Sequence, residues 1–153
     1  MRITSSVEYA TRLMLTLARE HGRAPVAAER LAESDAIPAD YVSQLLVKLR
    51  RAGLVVSHRG SAGGYSLSEA PGKITLARVV RAVDDVVFED VCARYADGPK
   101  DCRHQGACAL SPVWSGLGSV LTRYLEGITL ADVLSGAPAA CGTPVWLEKL
   151  SSS

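Results

Sequence analysis

With 153 residues, 48% of them hydrophobic and 22% charged, and with 13 Gly and 7 Pro spread as punctuation, the chain has material for one domain-sized core and falls outside the disordered and collagen-like classes. Its formal net charge of +1 conceals a division: residues 1–84 carry 12 Lys and Arg against 8 Asp and Glu, whereas residues 85–153 carry 5 against 8. No run approaches the roughly 18 to 20 apolar residues of a membrane helix, and Met1 to Glu8 has no signal-peptide core, so a soluble, cytoplasmic protein is expected.

In chain order, residues 5 to 21 place Val7, Ala10, Met14 and Leu17 at helical spacing before Gly22, which predicts a first helix. A shorter helix is expected over residues 27 to 34, with Ala28, Leu31 and Ala32 on one side, followed by a tight Ser34-Asp35-Ala36-Ile37 connection. The third helix opens at Pro38, has Asp40 in its first turn, and stops at Gly53. Val42, Leu45, Leu46 and Leu49 fall at i, i+3, i+4 and i+7 and face the core; Ser43, Gln44, Lys48 and Arg51 remain on the outer side.

Leu54 to His58 and Tyr65-Ser66-Leu67, separated by the turn Arg59 to Gly64, predict a two-stranded hairpin. Pro71-Gly72 breaks the chain, and Thr75 caps a helix carrying Leu76, Val79, Val80 and Val83. A polar stretch over residues 89 to 110 holds three of the four cysteines. A last helix, capped by Ser111 with Pro112 at its first position, spaces Trp114, Leu117, Leu121 and Tyr124 as a coiled-coil seam with Leu125 alongside. That stripe needs a receiving surface, which predicts a homodimer interface, with packing on its own domain as the plain alternative. The turn from Ile128 to Leu134, opened by Thr129, is expected to cap the seam.

The expected fold class is mainly α with a small β-hairpin. A winged helix-turn-helix domain occupies residues 1–72; a linker helix, cysteine loop and dimerisation helix occupy 73–135; and 136–153 is a tail. Residues 41–68 contain Lys48, Arg50, Arg51 and Arg59 and no acid, the sign of charge that a polyanion attracts. A third helix with a polar outer face, followed by a basic Gly-rich hairpin, suits duplex DNA. Ser43 and Gln44 can reach base edges, and Lys48, Arg51, His58 and Arg59 lie where phosphates run. Gly60, Gly63 and Gly64 permit close backbone approach and positive φ. The competing reading is a helical unit with a hairpin that makes protein contacts only. No phosphate loop after a strand, nucleophile elbow or positioned carboxylate pair is visible, so catalysis and a small-molecule substrate are not expected. Cys92, Cys102, Cys108 and Cys141 in a reducing compartment point to metal or redox chemistry ahead of structural disulfides.

At these residues the chain resembles the Rrf2 group of winged-helix repressors, typified by IscR, NsrR and RirA and including the cysteine-metabolism regulator CymR. The resemblance covers about residues 1–135. It is carried by Glu8-Tyr9-Ala10, by Tyr41 to Val55, by the wing Arg59 to Leu67, by Ile74-Thr75-Leu76 with Val79, Arg81, Ala82 and Val83, and by the cysteine loop, Trp114 and Ile128 to Leu134. It implies a homodimer on a pseudo-palindromic double-stranded operator and, in cluster-bearing members, an iron-sulfur cluster (2Fe-2S or 4Fe-4S) held by Cys92, Cys102 and Cys108, whose soft thiolates suit its iron. The signal implied is nitric oxide, redox state or iron. IscR-like members complete the site with a His three positions after the third cysteine, where this chain has Ser111. NsrR-like members use an acid near the start of the first helix of the partner subunit, matched here by Glu8. His104 is the alternative fourth ligand and would also suit zinc. The plain reading of Glu8 is a pair with Arg12 one turn on. Cys141 lies outside the matched stretch and reads as an unpaired thiol. A cluster-free, thiol- or metabolite-responsive regulator of the same fold is the alternative function.

Overall fold

The computed structural model describes residues 3–60, 62–84 and 109–136. Among these the elements run α1 (Ser5–Arg19), α2 (Ala28–Asp35), α3 (Ala39–Arg51), β1 (Val55–His58), β2 (Gly64–Leu67), a 3-10 turn at Pro71–Lys73, α4 (Leu76–Val83), α5 (Ser111–Glu126) and α6 (Leu130–Ser135). The arrangement is the expected mainly helical one with a single antiparallel hairpin.

Local chemistry sets the boundaries. Thr4 caps α1 by accepting the Val7 N–H on its hydroxyl, and the helix ends at Arg19, two residues short of the expected limit, as the chain turns towards Gly22 at φ 83°. Between α2 and α3, Ala36 takes the left-handed conformation at φ 52°, and the amides of Ala36 and Ile37 return to the carbonyls of Glu33 and Ala32. Pro38 precedes α3 as its N-cap, so the helix starts one residue later than the sequence suggests. Its far end closes through Gly53 at φ 71°: the amides of Gly53 and Leu54 donate to Arg50 and Leu49, each at 3.0 Å. Leu49 and Leu54 are both buried in the same apolar cluster.

One apolar cluster joins Val7, Leu13, Met14 and Leu17 of α1, Val42, Leu45, Leu46 and Leu49 of α3, Val79, Val80 and Val83 of α4, and Leu130 of α6. No polar side chain is buried among the described residues. The hairpin pairs Val55 with Leu67 and His58 with Gly64. A second pairing lies on the other side of β2: Val26, just before α2, exchanges both backbone hydrogen bonds with Tyr65, at 2.9 and 2.8 Å. The wing is therefore tied down along both edges of β2.

The segment after α5 departs from expectation. Ile128 to Leu134 does not cap the α5 seam; it folds back on the winged unit. The Ile128 carbonyl accepts from Leu76 N–H at 2.8 Å, Leu130 N–H donates to Ile74 at 2.9 Å, and Ile128, Leu130 and Ile74 are buried. Burying three aliphatic side chains there outweighs leaving them on an exposed seam. A capping box starts α6: the Thr129 hydroxyl accepts from Asp132 N–H while the Asp132 carboxylate accepts from Thr129 N–H. The Thr129 side-chain hydrogen bond, followed by the backbone one, holds the Asp132 carboxyl below the usual carboxylate range. At its other boundary α5 opens at Ser111, with Leu110 as N-cap and Pro112 inside the first turn.

Candidate nucleic-acid interface and cysteine segment

The outer face of α3 is built by the periodicity of its inner face. Because Val42, Leu45, Leu46 and Leu49 turn inward, Ser43, Gln44, Val47, Lys48 and Arg51 stand exposed on the other side. Two contacts fix the amino end of α3 against α1: the Tyr41 hydroxyl lies 2.6 Å from the Ser6 hydroxyl, and the Tyr9 and Tyr41 rings meet edge to face at 5.7 Å. Arg50, Arg51 and Arg59 have no hydrogen-bond or ion-pair partner among the described residues, so their charges face solvent. Lys48 differs. Its ammonium donates to the Val83 carbonyl oxygen at 3.1 Å, at the end of α4. His58 shares a 2.8 Å hydrogen bond with the Ser66 hydroxyl across the hairpin.

The wing glycines divide by cause. A Cβ on Gly64 would sit 2.4 Å from the Val26 carbonyl oxygen, and one on Gly63 would sit 2.5 Å from the His58 carbonyl oxygen. These two are required by approaches within the protein. Gly60 of the three has open space around its Cβ position, and there it is the positive φ of 108° that favours glycine.

Glu8 lies in the first turn of α1, half-exposed, where its carboxylate accepts from the Arg12 guanidinium one turn on. An exposed pair of this kind is worth about 0.3 to 0.5 kcal/mol, little against a metal bond. Beside it, the Thr4 hydroxyl donates to the Asp84 carboxylate at 2.8 Å, so the chain leaves α4 alongside the start of α1. Cys92, Cys102, His104, Cys108 and Cys141 lie outside the described residues, and no group of metal-binding side chains occurs among the described ones. As a donor set, three thiolates with a carboxylate whose present partner is weakly held fit iron-sulfur ligation.

On α5, Trp114, Leu117 and Tyr124 are exposed as the spacing requires, and Leu121 is half-buried. Leu110, Val113 and Val120 extend the same exposed apolar stripe. A seam phased on Trp114 does not include them, although the steps 113, 117, 120 and 124 fit a 3.5-residue repeat equally well. Val47 was likewise legible as part of the 40, 44, 47, 51 row on α3. Leu125 packs against the core, and Arg81 of α4 donates to Glu126 at 2.8 Å, which fastens the carboxyl end of α5. No helix among the described residues is long and apolar enough to cross a membrane.

The Rrf2 family pattern, described as an iron-dependent transcriptional regulator, matches residues 3–136. The HTH-type transcriptional regulator IscR of Vibrio vulnificus (strain YJ016) is 37% identical over 135 residues, covering 88% of this chain and 78% of that protein. The IscR of Vibrio cholerae is 37% identical over 134 residues, again covering 88% of this chain. Among solved structures, CymR, the global cysteine regulator of B. subtilis, superposes with a TM-score of 0.71 at 27% identity over 90% of this chain and 98% of that one. T. potens IscR gives 0.68 at 28% identity, over 89% and 88%.

Proposed function

The chain belongs to the Rrf2 family of DNA-binding transcriptional regulators, and on that premise we propose that it is a homodimeric repressor whose operator affinity follows the state of an iron-sulfur cluster. The observation that carries the DNA part is the outer face of α3: exposed Ser43 and Gln44 beside Arg51, with no acid between residues 41 and 68. In this reading Ser43 and Gln44 meet base edges in the major groove, and Arg51 and Arg59 meet phosphates beside Gly60. The seam of Trp114, Leu117, Leu121 and Tyr124, widened by Val113 and Val120, buries itself against a second copy. That association sets two α3 helices on two half-sites.

Cys92, Cys102 and Cys108 would hold the cluster, with Glu8 of the partner subunit as fourth ligand and His104 as the alternative. The cluster, when bound, supplies iron open to nitric oxide, oxidant or iron loss. Glu8 is suited to the part because a carboxylate is a harder and more labile ligand than a thiolate, and because its Arg12 pair costs little to break. Carried on α1, Glu8 shares its helix with Ser6 and Tyr9, both of which touch Tyr41 at the head of α3. A change at Glu8 thus has a short packed route to the recognition helix.

The test is fluorescence anisotropy with a duplex selected by the protein from a randomised library. Arg59→Ala lowers affinity for every sequence and reduces the salt slope by about 1, whereas Gln44→Ala costs about 1 to 3 kcal/mol at one base position. Variants that bind both selected and random duplexes as the parent does would remove α3 and the wing from the interface.

A further inference from the structure

Resting on the DNA-binding reading above, we infer that Lys48 is a positioning residue that clasps the recognition helix to the end of α4, and is not a phosphate contact. A helix leaves its last carbonyls without intrahelical partners, and a cation near them is favoured by the helix dipole. The Val83 carbonyl is such a group, and the Lys48 ammonium, reaching across from α3, donates to it at 3.1 Å. The neighbouring residue, Asp84, is held from the other side by the Thr4 hydroxyl at 2.8 Å. Two consecutive residues at the end of α4 are therefore tied to two different helices of the winged unit, one to α3 and one to the N-cap of α1.

The contrast with the other basic residues of the same face decides between the two roles. Arg51 and Arg59 have no protein partner among the described residues and keep their full charge for an outside anion, whereas Lys48 spends a donor on a backbone carbonyl 35 residues away. That hydrogen bond fixes how far α3 stands from α4, and so the pose in which Ser43 and Gln44 meet a groove. Loss of the clasp alters the fit to one sequence. Loss of a phosphate contact weakens every sequence alike.

The experiment compares the full-length parent, Lys48→Met and Asp84→Ala on the selected duplex and on a random-sequence duplex across a salt series, with amide hydrogen exchange of the free proteins. For Lys48→Met the clasp gives a roughly tenfold loss on the selected duplex, affinity for the random duplex within about twofold of the parent, an unchanged salt slope, and faster exchange over residues 79–84. Asp84→Ala, which leaves Lys48 in place and removes an acid, gives the same selective loss. A salt slope lower by about 1, with both duplexes weakened by one factor in Lys48→Met, overturns the inference, as does stronger binding of both duplexes by Asp84→Ala. A parent that binds neither duplex overturns the DNA-binding reading itself, an outcome distinct from these.

Discussion

Helices α3 and α5 are built on the same principle and end in opposite situations. Each carries an apolar stripe at helical spacing, over 13 and 16 residues respectively. The stripe of α3 vanishes into the core, with Val42, Leu45, Leu46 and Leu49 all at 2% exposure or less, while Val113, Trp114, Leu117, Val120 and Tyr124 of α5 stand open. Among the described residues, the carboxyl end of α5 is anchored by Leu125 and by the pairing of Arg81 with Glu126. Periodicity identifies an apolar face; it does not identify what covers it. In α3 the cover is the remainder of the winged unit; for α5 the cover we propose is a second chain.

The largest effect expected from this comparison is a pair of leucine truncations. Leu46→Ala opens a cavity in the single core and lowers stability by about 2 to 5 kcal/mol, whereas Leu117→Ala, on the open stripe, changes the stability of the isolated chain by no more than about 0.5 kcal/mol. Thermal or urea unfolding of both variants at low protein concentration checks the contrast. Equal losses would place Leu117 inside the core and abolish the distinction between the two helices.

A smaller effect tests the wing, which belongs with the closed region because β2 is held on both edges. Gly64→Ala forces a methyl group against the Val26 carbonyl and should cost about 1 to 3 kcal/mol, while Gly60→Ala has room for its methyl group and pays only for its positive φ. A melting curve for Gly64→Ala matching that of the parent would show that Val26 is not paired with Tyr65.

The smallest effect concerns the segment that returns from α5 to the core. Thr129→Ala removes the cap of α6 and costs about 1 kcal/mol at neutral pH. The Asp132 half of the box is pH-dependent with a fixed sign. Its folded pKa lies below the ordinary value, so its contribution is complete above about pH 4, fades as pH falls through the lowered value, and is gone in stronger acid. The gap between parent and Thr129→Ala in unfolding free energy should narrow as pH falls from 7 towards 3. A gap that widens would contradict the capping box.

How much of this was legible in the sequence follows the distance over which each feature is built. The inner face of α3, the Thr75 cap and the hairpin around Arg59 to Gly64 are local, and spacing and turn residues are enough to announce them. The exposed charges of Arg51 and Arg59 followed from the same helix and turn. The pairing of Val26 with Tyr65, the return of Ile128 to Leu76, and the reach of Lys48 to Val83 join residues far apart in the chain, and no local pattern announces them. They add to two site readings: Gly63 and Gly64 are also required by close approaches within the protein, and the Lys48 ammonium also donates to the Val83 carbonyl. The pair of Glu8 with Arg12 was legible at its i, i+4 spacing, whereas the cysteines carry their meaning in residue type alone.

In the proposed dimer the open stripe of α5 joins two chains so that two α3 helices meet one duplex. Hydroxyl-radical footprinting on the selected duplex, comparing the parent with Leu117→Glu, tests it most directly. The parent should protect two half-sites about 34 Å apart on one face of the DNA. Leu117→Glu should give no protection at the same concentration while its helical circular dichroism stays that of the parent. A single half-site protected equally by both proteins would contradict it.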